Sequence, residues 1–299
     1  MKTVACFDVG GTNVKHALIT ETGNILSKGA YPTIRDCADV FISSIIDVVE
    51  TYQKTCQLDG IALSMPGFID INTGFASEAG AIDCMWDTNI KTQLQAHTDL
   101  PIEIENDANC VAMAEKFLGA ALDCEHFVCI TVGTGIGGGI FVNGKIYRGH
   151  TFGAGEFGYM NTAAYKGTVT FPDLSGTGAT SALIGRYKEY KNIPKDTLIE
   201  GIEVFEQAKR DTGVQQIIED WYLHLSQGIY NLVCTLNPQK ILIGGSISAR
   251  GEELTTNLEK YLCQMPSWAL FDVSVELCHF KEEAGLMGAI YHFFEMQNA

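Results

Sequence analysis

Two aspartates sit where a buried strand would hand a carboxylate to a site. Asp8 lies in the apolar run Thr3 to Val9, immediately before Gly10-Gly11-Thr12, and Asp107 stands in Glu105-Asn106-Asp107-Ala108-Asn109, directly after the apolar run Ile102 to Ile104. A carboxylate is costly to bury unless it meets a cation or hydrogen-bond donors, and magnesium beside phosphates would meet that need at Asp8. The plainer alternative, a carboxylate bonding its own turn, is weaker there because glycines follow at once. At Asp107 the plainer alternative is a helix N-cap. Both roles are compatible, since Asn106 can cap while Asp107 faces a cleft.

Three glycine-rich bends follow three apolar runs: Gly10-Gly11-Thr12, Gly133-Thr134-Gly135-Ile136-Gly137-Gly138-Gly139 and Gly244-Gly245-Ser246. Glycine lets backbone N–H groups approach a phosphate with no β-carbon in the way, and threonine adds a hydroxyl donor. One such bend is weak, because a glycine turn after a strand is common. Three together, two of them in a repeated hairpin, point to a nucleotide. No Gly-Lys-Ser/Thr follows any of them, so none is a Walker A loop. A dinucleotide fingerprint would need a strand-to-helix transition where the pattern shows a hairpin, which disfavours an NAD enzyme.

The elements that must position these residues are legible in outline. Thr3 to Val9, Val14 to Thr20 and Ile25 to Lys28 form a strand meander, and Asp36 to Cys56 has helical spacing with Asp36 as a cap. The short runs Ile61 to Leu63 and Ile102 to Ile104 end in Ser64-Met65-Pro66-Gly67 and Glu105-Asn106-Asp107, as strands delivering polar residues to a site do. Asn106 to Leu118 reads as a helix stopped by Gly119. Phe7-Asp8-Val9-Gly10-Gly11-Thr12 is echoed by Ile130-Thr131-Val132-Gly133-Thr134-Gly135, each followed by a second strand and a turn. Helical patterns follow at Ala179 to Tyr190, Leu198 to Lys209, Val214 to Leu236 and Ala284 to Phe294, with a strand at Ile241 to Ile243. The expected division is a small lobe over 1–118, joined by the C-terminal helix from about residue 285, and a large lobe over 119–284.

Composition sets the outer limits. The chain has 299 residues, 46% hydrophobic and 19% charged, which suits two ordinary domains. A net charge of −16 would repel nucleic acid and anionic lipid, so neither is an expected partner. The ten scattered cysteines, without a C-x-x-C, and the lack of a long apolar span predict a soluble, cytoplasmic protein with reduced thiols. His150, Lys15 and Cys110 read as surface, solvated and packing residues, respectively.

In order and spacing, Asp8-Val9-Gly10-Gly11-Thr12, Pro66-Gly67, Glu105-Asn106-Asp107-Ala108-Asn109, Gly133 to Gly139, Gly155-Glu156-Phe157-Gly158 and Ile243-Gly244-Gly245 resemble the ROK family of sugar kinases and repressors. The resemblance spans nearly the whole chain. It implies a two-lobed α/β fold, actin-like and ribonuclease H-like, with duplicated strand-hairpin halves. It also implies ATP and magnesium, transfer of the γ-phosphoryl group to a sugar hydroxyl, and a homodimer as in many relatives. Carried over by position, Asp107 would be the general base, and Gly67, Asn106, Glu156 and Tyr159 would join it in binding substrate. Asp8 would serve magnesium, Gly10, Gly11, Thr12, Gly133, Thr134, Gly135 and Gly137 would hold phosphates, and Gly244 and Gly245 would flank adenosine.

Where many relatives carry a histidine and then a cysteine-rich zinc cluster, this chain has Tyr159 and no cysteine between Met160 and Thr180, so no zinc is expected. A second sugar-binding glutamate is also missing from a recognisable place. The shorter loop Asn161 to Ser175 would then leave room at the anomeric end, where an aromatic ring could pack on a second sugar. Gly80-Ala81-Ile82, Ala154 to Met160 and Ala284 to Ala289 resemble the β-glucoside kinase branch. That implies phosphorylation of the 6-hydroxyl of the non-reducing glucosyl unit of cellobiose-like β-glucosides, with glucokinase or N-acetylmannosamine kinase activity as the alternative. A sugar-responsive repressor would carry a basic DNA-binding head before the first glycine bend, and Asp8 is the eighth residue.

Overall fold

The computed structural model describes residues 1–162 and 172–298. Two compact units emerge: Met1–Leu122 with Ile146–Ala154 and Glu282–Ala299, and Asp123–Lys145 with Gly155–Lys281. Residues 146–154, which the sequence assigns to the second lobe, pack within the first unit.

The first unit opens with a meander of β1 (Thr3–Val9), β2 (Asn13–Thr20) and β3 (Ile25–Pro32). Helix α1 (Ala38–Gln53) then crosses back to β4 (Gly60–Met65). A small antiparallel sheet of β5 (Phe68–Asp70), β6 (Phe75–Glu78) and β7 (Thr88–Asn89) follows, then α2 (Ile90–Gln95), β8 (Ile102–Asn106) and α3 (Asp107–Leu118). The main sheet has the order β3-β2-β1-β4-β8. Strands β4 and β8 run parallel to their neighbours and are buried throughout, which is why they read as short continuous apolar runs rather than alternating ones. The N-cap position of helix α1 falls on Cys37, one residue after the expected cap Asp36, and no side chain caps the helix. Its place is set by the buried stripe Phe41, Ile42, Ile45, Ile46, Val49 and Tyr52.

The second unit repeats the plan. Strands β9 (Phe127–Val132), β10 (Ile136–Val142) and β11 (Lys145–Ile146), with β12 (Lys240–Gly244) and β13 (Ser274–Leu277), form a sheet of order β11-β10-β9-β12-β13. The order corresponds strand for strand to the first sheet, so the sequence echo is a duplication of topology. Between β11 and β13 come α4 (Leu174–Gly178), α5 (Thr180–Lys191), α6 (Gly201–Ala208), α7 (Thr212–Leu236) and α8 (Glu252–Leu262). Helix α6 starts later than the pattern suggests, leaving Leu198 almost wholly exposed. The final helix, α9 (Ala284–Gln297), belongs to the first unit and packs on α3 and against β1, β4 and β8.

Candidate active site

In the first unit, three adjacent parallel strands end together. Asp8 on β1 lies beside Ser64 on β4, and Ser64 lies beside Glu105 on β8. The Ser64 hydroxyl donates to Asp8 Oδ1 at 2.9 Å. Burial raises the Asp8 pKa above the ordinary carboxylate range, while the Ser64 hydroxyl and the Lys15 ammonium pull it back. Gly285, in the first turn of α9, comes so close that any β-carbon there would collide with the Asp8 carboxylate. A carboxylate that pays for burial with one hydroxyl donor gains from a hard dication, so Asp8 fits a magnesium ligand. The adjoining Gly10-Gly11-Thr12 bend is largely exposed, with the Gly10 amide donating to Asn13 O at 3.0 Å.

The β8–α3 junction sets Asp107. Asn106 Oδ1 accepts from the amides of Ala108 and Asn109 at 2.9 and 3.0 Å, so Asn106 is the cap. Its Nδ2 donates to Gly67 O at 2.9 Å. Gly67 has φ +99°, and a side chain there would strike the Glu78 carbonyl, so the Pro66-Gly67 bend needs glycine. Asp107 is the first helical residue, partly exposed, with Oδ1 accepting from Ala108 N at 2.7 Å. One Nδ2 hydrogen of Asn106 remains for a ligand, whereas its oxygen is committed to the cap.

Beneath this turn lies a cluster that sequence reading missed. Glu105 is 1% exposed; its Oε1 accepts from Asn106 N at 2.9 Å and from Asn109 Nδ2 at 3.0 Å, and its Oε2 accepts from Arg148 Nε at 2.7 Å. Buried His292 approaches with Nδ1 3.4 Å from Arg148 Nη2 and 3.7 Å from Glu105 Oε2. Half-exposed Trp86 flanks the same loops, donating Nε1–H to Gly80 O at 3.0 Å.

In the second unit, the β9–β10 bend closes with Gly133 N donating to Gly135 O at 3.0 Å. The α4–α5 region braces it, with Thr180 N donating to Gly133 O at 2.9 Å and Ile136 N donating to Ser175 Oγ at 3.0 Å. A β-carbon added at Gly133 or Gly135 would meet no atom nearer than 3.7 Å, so the bend and its Thr134 are open on the side where phosphates could lie. Gly137 lies in β10 opposite Thr131, and Gly244 ends β12 beside that same residue. Gly245 has φ +80°, and a side chain there would come within 2.5 Å of Val132 O.

Directly after this glycine pair opens a cavity of about 1080 Å³ bordered by Thr180, Phe205, Tyr222, Ser246, Ile247 and Arg250. The Arg250 guanidinium lies 3.4 Å over the Phe205 ring. Thr180 Oγ1 and Arg250 Nε are buried without a hydrogen-bond partner among the described residues, and a polar ligand would supply one. Gly244 and Gly245 were legible as motif; Thr180, Phe205 and Arg250 come from separate helices and were not. Also in this unit, Glu156 immediately precedes the single turn Phe157–Tyr159, and Tyr159 is 67% exposed. Residues 163–171 of the loop expected to make room for a second sugar lie outside the described residues. Among the described residues, no group of three or more His, Cys, Asp or Glu could hold a metal ion, and no helix is long and apolar enough to cross a membrane.

Comparison with known proteins agrees with this architecture. A family model for the ROK family matches residues 4–295. A β-glucoside kinase of Listeria monocytogenes is 38% identical, covering 99% of this chain and 98% of its own, and one of Klebsiella pneumoniae is 32% identical, covering 98% and 96%. The crystal structure of a ROK family protein from Streptococcus pneumoniae in complex with sucrose superposes with a TM-score of 0.86 at 28% identity, covering 99% of both chains. With duplicated sheets of actin-like order and a family match along almost its entire length, the chain belongs to the ROK family, as one of its ATP-using sugar kinases.

Proposed function

We propose that the protein transfers the γ-phosphoryl group of ATP to the 6-hydroxyl of the non-reducing glucosyl unit of a β-glucoside such as cellobiose. The observation that carries this assignment is Asp107 at the first turn of α3, beside an Asn106 pinned between its cap bonds and Gly67. Asp107 accepts the 6-hydroxyl proton as the oxygen bonds to phosphorus and the bond to the ADP oxygen breaks. Phosphoryl transfer runs through a loose transition state, so an ordinary carboxylate suffices as a base and most of the acceleration comes from positioning. Asn106, Gly67, Glu156 and Tyr159 are the proposed sugar contacts. The bends Gly10-Gly11-Thr12 and Gly133-Thr134-Gly135, with Gly137, are the proposed phosphate contacts. Gly244 and Gly245 would lead adenosine into the cavity bordered by Thr180 and Arg250. Magnesium would neutralise charge on the phosphoryl oxygens, with Asp8 as its protein ligand.

Glycoside preference is supported by the β-glucoside kinase relatives and by the sucrose-bound neighbour, whose ligand has no free anomeric hydroxyl. Half-exposed Trp86, anchored on Gly80 beside Pro66, offers an aromatic face within the first unit. The test is product analysis: cellobiose, ATP and magnesium should yield ADP and a disaccharide whose phosphorus couples to the C6 protons of the non-reducing ring in NMR. Phosphate on any other carbon would overturn the 6-hydroxyl assignment.

A further inference from the structure

The ion pair under α3 does more than fill the core. Glu105 spends Oε1 on Asn106 N and Asn109 Nδ2, the two residues that bracket Asp107-Ala108. Oε2 is held by Arg148 Nε, and the Arg148 side chain is only 17% exposed. We propose that Arg148 is a positioning residue for phosphoryl transfer, acting through Glu105 to fix the first turn of α3 and thereby the direction of the Asp107 carboxylate. The inference rests on Asp107 being the base.

A carboxylate as buried as Glu105 is held in place only with a cation and donors around it. Arg148 is the cation bonded to it; its Nη2 also reaches His292 Nδ1 at 3.4 Å and Glu295 at 3.8 Å, which fixes the guanidinium plane. Without Arg148, Glu105 Oε2 loses its bonded partner in a buried place, and the side chain must turn toward other donors. That turn weakens its hold on Asn106 and Asn109, the residues on which the α3 cap depends. The guanidinium is delivered by residues 146–154, the stretch of chain that leaves the second unit at Lys145 and rejoins it at Gly155, so its place in the first unit needs an anchor. An error of about 1 Å in a reacting group can cost roughly 10²-fold in rate, so an indirect contact of this kind can carry a large kinetic effect.

Arg148→Gln, Arg148→Lys and Asp107→Asn should be compared singly and in combination by steady-state kinetics with ATP and the best sugar acceptor. Arg148→Gln should lower kcat about 10-fold or more with KM for ATP within about twofold, and Arg148→Lys, which keeps the charge, should recover part of the loss. In the Asp107→Asn background, removing Arg148 should cost little further, because no base remains to be aimed. An unchanged kcat in Arg148→Gln would overturn the proposal. So would a loss of equal factor in both backgrounds, the mark of a general structural role. Should Arg148→Gln fail to fold, Arg148→Lys decides by the same criteria. If Asp107→Asn alone keeps normal turnover, it is the assignment of the base that fails, whatever Arg148 does.

Discussion

Asp107 and Asn106 are neighbours with separable duties. Asp107 Oδ1 accepts from the Ala108 amide in its own first turn, and its carboxylate is partly exposed at the helix start. Asp107→Asn preserves size and the N-terminal position but cannot take a proton. Turnover should therefore fall by roughly 10²-fold or more while sugar binding, measured by calorimetry, persists. Near-normal turnover would leave Asp107 as a helix-start residue alone. Arg148, by contrast, reaches the reaction only through Glu105, 43 positions away in sequence. Such a pair is invisible to motif reading, because neither an arginine in a glycine-rich loop nor a glutamate before a helix announces its partner.

At the scale of elements, the β8–α3 junction sets the cap Asn106 directly before the proposed base Asp107 and ties it to the Pro66-Gly67 bend. Asn106→Ala removes the cap acceptor and the tie to Gly67, and should cost about 1–2 kcal/mol in denaturant unfolding. Asn106→Asp keeps an acceptor for Ala108 and Asn109 but loses the Nδ2–H donated to Gly67 O. It should fold with near-normal stability and show a raised KM for sugar. Equal stability losses in the two variants would mean that the Gly67 tie, rather than the cap, holds the junction. This junction was readable in the sequence, as were the glycine bends, because caps and turns depend on residues a few positions apart. The start of α1 was not: its cap falls on Cys37, and the buried stripe from Phe41 to Tyr52, not Asp36, decides where the helix lies. The cavity beside Gly245 was likewise hidden, since Thr180, Phe205 and Arg250 meet only after α5, α6 and the turn following β12 have packed.

For the whole molecule, stability should fall on the acid side of neutrality. Burial depresses the pKa of His292, His16 and His224, so the folded chain resists protons that the unfolded chain takes up near the usual histidine value of about 6.5. Their contribution is present above that pH and is lost as pH drops toward the folded values. Asp8 works in the opposite sense, because its raised pKa makes the folded state bind a proton more tightly as pH falls through that raised value. The melting temperature should be lower at pH 5.5 than at pH 7.5, and His292→Asn, whose carbonyl can still accept from Arg148, should flatten part of that slope. A slope unchanged in His292→Asn would remove His292 from the explanation. The fold should not depend on zinc: with no ligand cluster among the described residues and no cysteine from Met160 to Thr180, a zinc chelator should leave the melting curve where it was. A chelator-induced drop in melting temperature would contradict this.

The central claim, that this sugar kinase works on glycosides, is tested most directly by one comparison of kcat/KM for cellobiose, a methyl β-glucoside, glucose and N-acetylmannosamine with ATP and magnesium, because that ratio reports differential transition-state binding. Both glycosides should outperform both free monosaccharides by about 10-fold or more, the scale of one lost or gained set of pocket contacts. A clear preference for glucose or N-acetylmannosamine over both glycosides would contradict the claim.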